Sequence, residues 1–295
     1  MAARTSLLAR IALAALLASA AVGCTRLALG PGIAPVALQA TGIVPWQAAD
    51  DLPRRSEVQA GQLVIHADFP LAEQHRIVRD LENLRVDVSQ ALDMPISDEP
   101  VHLYLFESPA RYEAFVGRQF PAFPARRAFF VETDTTLAVF ASWQDRVAED
   151  LRHETTHGYV HAVVPTVPLW LDEGIAEYFE VPRAEAGVHR GHVAHLAGRI
   201  LEGTWRPDLD RLEALGSAGD LTQDHYAEAW CWVHWLLRTT PERRRLLQDH
   251  LAAIRRDTAT PPLSVALRHA PGTPADLAAE IRGHVEALAA ATGQR

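Results

Sequence analysis

The stretch His153-Glu154-Thr155-Thr156-His157, followed after a Pro-marked loop by Trp170-Leu171-Asp172-Glu173-Gly174, constrains this chain more than any other feature. On a helix, residues four apart share one face and lie about 6 Å apart along the axis. Two imidazoles so placed can both reach one metal ion at roughly 2.0–2.1 Å, the Zn–N distance. Glu154, one residue on, points to the flank of that face, where it can act on a water without ligating the ion. Histidine is abundant, with 14 copies, so the first stretch alone also fits a surface helix with two solvated imidazoles. The second stretch supplies a third protein ligand, which zinc requires. Glu173 follows Pro165 and Pro168 and opens the apolar-periodic run Ile175-Ala176-Glu177-Tyr178-Phe179. The pattern asks for a helix, a short excursion and a second helix that brings Glu173 back over His153 and His157. One Zn²⁺ per chain is the expected cofactor.

Other polar residues near the two stretches have less defined roles. His161 extends the histidine spacing to i, i+4, i+8, but stands about 12 Å along the axis from His153, too far to share an ion. It reads as a residue behind the ligands or packed in the core. Glu177, four residues after Glu173, shares its helical face and is the candidate acceptor for the outer N–H of a metal-bound imidazole. A solvated helix carboxylate is the other reading of Glu177, and Glu180 reads as solvated.

HETTH together with WLDEGIAEYFE resembles the gluzincin branch of the zinc metallopeptidases, and within it the bacterial peptidase-MA-like group. The likeness is strong over residues 150–181, softer over 101–142 and 222–237, and absent elsewhere. In that branch both His of the first motif and the Glu of a W-L-x-E-G segment bind zinc. The resemblance thus implies His153, His157 and Glu173 as ligands and Glu154 as general base of a zinc-dependent peptidase acting on peptide or protein. Aminopeptidases of the branch usually carry Asn where this chain has Asp172, and the Gly-x-Met-Glu-Asn type segment that holds a substrate amine is missing. Both departures point away from aminopeptidase action and toward an endopeptidase. Metzincins place a third His six residues after the second, with a Gly between, and this chain does not.

Peptide hydrolysis builds negative charge on a tetrahedral oxygen, which calls for a hydrogen-bond donor beside the metal. Tyr226, opening a helical run over 222–238, is the candidate, and similar families carry a Tyr at this kind of downstream position. His225 and His234 are alternatives, and Tyr226 could instead pack with Trp230. Two further functions share the motif: a cell-envelope binding or assembly protein that keeps a metallopeptidase fold, and an amidase acting on cell-wall peptides. A pure binder gains nothing from Glu154 beside the metal, which favours the enzyme.

The net charge of −9 argues against non-specific nucleic-acid binding, which wants a basic face. Arg4 and Arg10 precede the apolar run Ile11–Val22, too short to span a bilayer, and residues 1–23 read as a signal peptide. Ala18-Ser19-Ala20 fits ordinary signal peptidase. Ala21-Val22-Gly23-Cys24 resembles a lipobox with Cys24 as the lipidated residue, and we favour it because a Cys directly after the apolar run is otherwise hard to explain. Either way the protein is expected to be exported, with membrane contact only through an anchor at Cys24. That leaves Cys231, in a densely apolar helical run, as a small buried hydrophobe.

The order of elements is α+β giving way to all-α. Residues 24–60 read as an Ala/Gly/Pro-rich tether, and 61–295 as one domain with an α+β lobe (61–164) and a helical lobe (165–295). In the first lobe, Gln62–Asp68 and Val101–Phe106 read as strands, Leu71–Leu92 as a helix, and Ser108-Pro109 as the start of another. Arg127–Glu132 and Thr135–Ala141 read as a hairpin, and Asp145–Val164 as the metal helix with Ser142 as a possible N-cap. Helices are expected over 173–181, 190–202, 208–215, 222–238, 241–256 and 274–291. The resemblance adds a zincin-like arrangement, an N-terminal mixed sheet with helices, a helical lobe, and the zinc site and substrate cleft between them. It also implies that the hairpin strand before the metal helix is an edge strand to which extended substrate can pair.

Overall fold

A computed structural model describes residues 27–28 as backbone, and 46–121, 126–164 and 166–293 in full. The expected signal peptide, both cleavage sites and Cys24 lie outside the described residues, as does Pro165. Among the described residues no helix is long and apolar enough to cross a membrane.

The first half builds one mixed sheet from β1 (Leu27–Ala28), β2 (Ser56–Ala60), β3 (Leu63–Ala67), β4 (Val101–Phe106), β5 (Ala128–Thr133) and β6 (Thr136–Ser142). Their spatial order is β1-β5-β6-β4-β3-β2. β2–β3 and β5–β6 are antiparallel hairpins, while β4 runs parallel to both β3 and β6. The hairpin read at Thr133-Asp134-Thr135 closes with Thr133 opposite Thr136. The outer side of β5 is met by β1, with Leu27 opposite Val131 and Ala28 opposite Glu132. β6, the hairpin strand directly before the motif helix, is paired on both sides, by β5 and by β4, and so is not an edge strand, contrary to the expectation carried by the resemblance.

Both faces of the sheet are covered, and strand alternation assigns the side chains. Leu103, Leu105, Phe130, Leu137 and Val139 join the main core under the helices. Tyr104, Phe106, Phe129 and Phe140 face the other way, onto α2 (Pro109–Gln119) and onto Trp46, Ala49 and Leu52. Residues 46–60, read as tether, are thus part of the fold: Trp46, Ala49 and Leu52 cap an aromatic layer, and β2 pairs with β3. The Ala/Gly/Pro-rich composition before them concealed this.

α1 (Arg76–Leu92) starts later than expected because His75 is its N-cap, its Nδ1 accepting from Ile77 N at 3.3 Å. α3 (Val147–His161) carries the first motif. Its N-cap is Arg146 in the left-handed region (φ 69), not Ser142, which is buried at the end of β6. α4 (Leu169–Glu180) carries the second motif and begins directly after Pro168, four residues before the expected start at Glu173.

The rest is helical: α5 (Arg190–Leu201), α6 (Leu209–Glu213), α7 (Gln223–Arg238), α8 (Pro241–Arg256), α9 (Leu263–His269) and α10 (Leu277–Thr292). α9 was not anticipated, and the last helix begins at Leu277 rather than 274. The chain is therefore α+β, a mixed sheet followed by a mainly helical second half. Its centre is α7, where Trp230, Cys231, Trp232 and Trp235 are all buried. Burial pushes the Cys231 thiol up, so it stays a neutral apolar filler.

Two glycines set the seats of the motif helices. A Cβ on Gly158 would stand 2.7 Å from Val101 Cγ1, so α3 lies directly on β4. A Cβ on Gly174 would stand 2.6 Å from the Ala229 carbonyl oxygen, so α4 meets the backbone of α7.

Candidate metal centre

α3 and α4 pack antiparallel, so residues early in α3 meet residues late in α4. His157 faces Asp172, near the start of α4, and His153 faces Glu180, at its end. Glu173 lies between them. Its Oε2 is 3.6 Å from His153 Nε2 and 3.8 Å from His157 Nε2. Ligands arranged tetrahedrally at about 2.05 Å from zinc stand about 3.3 Å apart, so these separations suit an ion at the centre. They exceed a hydrogen bond, which spans about 2.7–3.2 Å. His157 Nε2 and Glu173 Oε2 are buried and make no hydrogen bond. His153, His157 and Glu173 can together hold a metal ion, and all three side chains are almost wholly buried.

The carboxylates behind the two rings agree with that reading. His153 Nδ1 donates to Glu180 Oε2 at 2.8 Å, and His157 Nδ1 lies 3.0 Å from Asp172 Oδ1. A carboxylate can only accept, so the hydrogen bond to Glu180 keeps the His153 proton on Nδ1 and turns its Nε2 lone pair toward Glu173. The Nε2 atoms of both rings and Glu173 Oε2 thus converge at separations that suit a cation.

Glu180, read as solvated, is 2% exposed and accepts from two imidazoles, His153 Nδ1 and, at 2.7 Å, His189 Nε2. Burial alone would raise its pKa, but those two hydrogen bonds hold it well below the usual carboxylate range. Glu177, the expected partner of a ligand imidazole, instead receives His192 Nε2 at 2.8 Å. Burial and the neighbouring Glu180 push Glu177 well above its ordinary value. The exchange of roles follows from the antiparallel register, which lays His153 over the last turn of α4.

Asp172, noted only as a departure from Asn, does structural work at the centre. Its Oδ2 lies 3.1 Å from His161 Nε2, and His161 Nδ1 lies 2.9 Å from Glu132 Oε2. Burial would raise the Asp172 carboxyl, but the His157 and His161 imidazoles outweigh it and hold it well below the usual range. His161 thus lies beside Asp172, and the ligand atoms of His157, His161 and Asp172 are also close enough together to hold an ion. Strand alternation puts Glu132 on the α3 side of β5 together with Phe130, whose ring lies 5.9 Å from His157 and 5.5 Å from His161.

Glu154 is buried on the flank of the His153–His157 face, where one helical step of roughly 100° puts it. Tyr226 is buried in the first turn of α7. It lies one turn before Ala229, the residue that meets Gly174, so it shares the face of α7 turned to α4. The two alternatives are engaged elsewhere. His225 Nδ1 accepts from Thr222 N at 3.2 Å as part of the α7 capping box. His234 Nδ1 pairs with His284 Nε2 at 2.9 Å, against α10.

Sequence reasoning missed His189 and His192, which open α5 and reach the α4 carboxylates from outside both motifs. A cavity of about 430 Å³, lined by Asp80, Asp87, Arg152, Tyr178 and Arg238 among others, includes none of the three ligand side chains. No protein-family model matches this chain, and no curated protein matches it.

Proposed function

We propose that the chain is a zinc-dependent endopeptidase of zincin-like build, exported and anchored through Cys24. The observation that carries the reading is the convergence of His153 Nε2, His157 Nε2 and Glu173 Oε2 at metal-ligand spacing, with Glu154 on the flank of the same helix. A bound zinc ion supplies a Lewis acid that acidifies water and polarises a carbonyl.

The chain's own groups do the rest. His153 is held in its Nδ1–H tautomer by Glu180, and Asp172 stands 3.0 Å behind His157, so both rings are backed by a carboxylate before substrate arrives. Glu154 takes a proton from the attacking water and returns it to the departing amine, so one carboxylate serves as base and then acid. Tyr226 is the candidate donor to the oxygen on which charge develops. Phe130, whose ring lies 5.9 Å from that of His157, adds apolar bulk that keeps bulk water from the centre.

The test compares the protein with Glu154→Gln, measuring zinc per chain and hydrolysis of casein and of muropeptides side by side. One zinc in both forms, casein cleavage by the parent and a loss of 10²-fold or more in the variant is the expected result. Undiminished turnover in the zinc-loaded variant would falsify the base assignment. Cleavage of muropeptides alone would make it a cell-wall amidase, and cleavage of neither by the zinc-loaded parent would make it a binding or assembly protein.

A further inference from the structure

A second cluster, Glu177, His189 and His192, has donor atoms close enough together to hold an ion. Its spacings argue otherwise. His192 Nε2 to Glu177 Oε2 is 2.8 Å, a hydrogen-bond distance, and His189 Nε2, 3.9 Å from Glu177 Oε2, is taken up instead by Glu180 Oε1 at 2.7 Å. The ligand atoms of the metal centre stand 3.6 and 3.8 Å apart. One cluster is spaced for a cation and the other is closed by protons.

The closed cluster leads back to the metal centre. His189 is the N-cap of α5: its Nδ1 accepts from His192 N at 3.0 Å. That hydrogen bond puts the ring proton on Nε2, which donates to Glu180. Glu180 Oε2 in turn accepts from His153 Nδ1. The His189 ring stacks on His192 with centroids 3.8 Å apart, so it cannot swing away without breaking that stack. One imidazole thus caps a helix with one nitrogen and clamps the carboxylate behind a metal ligand with the other.

We infer that His189 is a positioning residue for the metal centre, acting through Glu180 to fix the orientation and tautomer of His153, and so controlling zinc affinity from outside the ligand set. The inference rests on the metal-centre reading above. Without His189, Glu180 has one donor fewer and a freer rotamer, and His153 meets the ion with a less ordered ring. Outer groups of this kind change metal affinity by 10- to 100-fold when they hydrogen-bond the ligand directly. One step further out, about tenfold is expected.

The two nitrogens of His189 can be separated by substitution. An Asn side chain keeps an acceptor near the Nδ1 position and is a strong N-cap, but does not reach Glu180. A Gln side chain carries an amide N–H near the Nε2 position and caps poorly. Zinc Kd would be measured by chelator competition, beside the thermal midpoint of the metal-free protein, for the parent, His189→Asn and His189→Gln. The expected pattern is crossed: His189→Asn keeps its midpoint but loses about tenfold in zinc affinity, and His189→Gln loses midpoint but stays within threefold in affinity. A purely structural His189 would make affinity follow the midpoint in both variants, and that result, or unchanged affinity in His189→Asn, overturns the inference. A parent that binds no zinc would overturn the metal-centre reading itself, which is a different failure.

Discussion

Glu173→Gln should have opposite effects on the metal-free and zinc-loaded protein. Glu173 is 1% exposed, and its Oε2 faces the Nε2 atoms of His153 and His157, with Glu180 and Asp172 on the far side of the two rings. Without an ion, Glu173 Oε2 is a buried acceptor with no hydrogen bond. An unsatisfied buried polar group costs roughly 1–3 kcal/mol, more when charged. The amide of Gln has almost the same volume and can donate to one imidazole, so the variant should recover about 2 kcal/mol. For a chain of this size that is about 4–8 °C in thermal midpoint, upward. With zinc the order reverses. At a free concentration a hundredfold above Kd, binding adds about 2.7 kcal/mol to the parent, roughly 5–11 °C. The variant, with a ligand lost, should gain little. Differential scanning calorimetry at pH 8 with a chelator, then with buffered zinc, measures all four midpoints. A metal-free variant less stable than the metal-free parent would refute the reasoning, because Glu173 would then be a structural carboxylate rather than one held in readiness for a cation.

Three further outcomes follow from the geometry. Tyr226→Phe should slow turnover with zinc binding unchanged, and a change of less than threefold would remove Tyr226 from the oxyanion role. Arg127 donates to both oxygens of Asp150, at 2.9 and 2.6 Å, and Asp150 is 2% exposed in the first turn of α3. Arg127→Met should cost about 2–4 kcal/mol in urea denaturation, and adding Asp150→Asn should recover most of it, since the loss comes from the stranded charge. Burial lowers His234 to about 3, and His250 and His284 to about 4, with the facing His284 also pushing His234 down. Their folded pKa values lie below the ordinary 6.5, so they favour the folded chain only while neutral. Stability should be full above about pH 6.5 and fall toward pH 4, by at most about 1.4 kcal/mol per pH unit for each histidine. His284→Gln should flatten that fall in a urea series, and an unchanged slope would count against the pair.

The convergence of His153, His157 and Glu173 was legible because helical spacing is a local property: it needed only the period of the helix and a turn between two helices. Glu180 was legible in part. Seven residues after Glu173 it returns to within about 20° of the same face, but its partner depends on the direction in which α4 crosses α3. His189 and His192 carried no local signal, since only the path after α4 brings the start of α5 against those carboxylates. The segment 46–60 was misread because composition reports flexibility on average, while one buried Trp46 and a five-residue strand suffice to dock it. In the helical half, termini set by side-chain caps drifted by a few residues, as at Leu277, where Asp276 accepts from Ala279 N.

The two glycine contacts have a mechanical consequence. Gly158 presses α3 onto the sheet through Val101, and Gly174 presses α4 onto the backbone of α7. The imidazoles therefore travel with the sheet, and Glu173 travels with the helical half. Any bending of one half against the other must shear α3 along α4 and pull the three ligand atoms apart. An ion held there would act as a rivet between the sheet and the helical half. Release of the metal and opening of the molecule would then be one event, seen in hydrogen exchange as amides of α3 and α4 that become labile together.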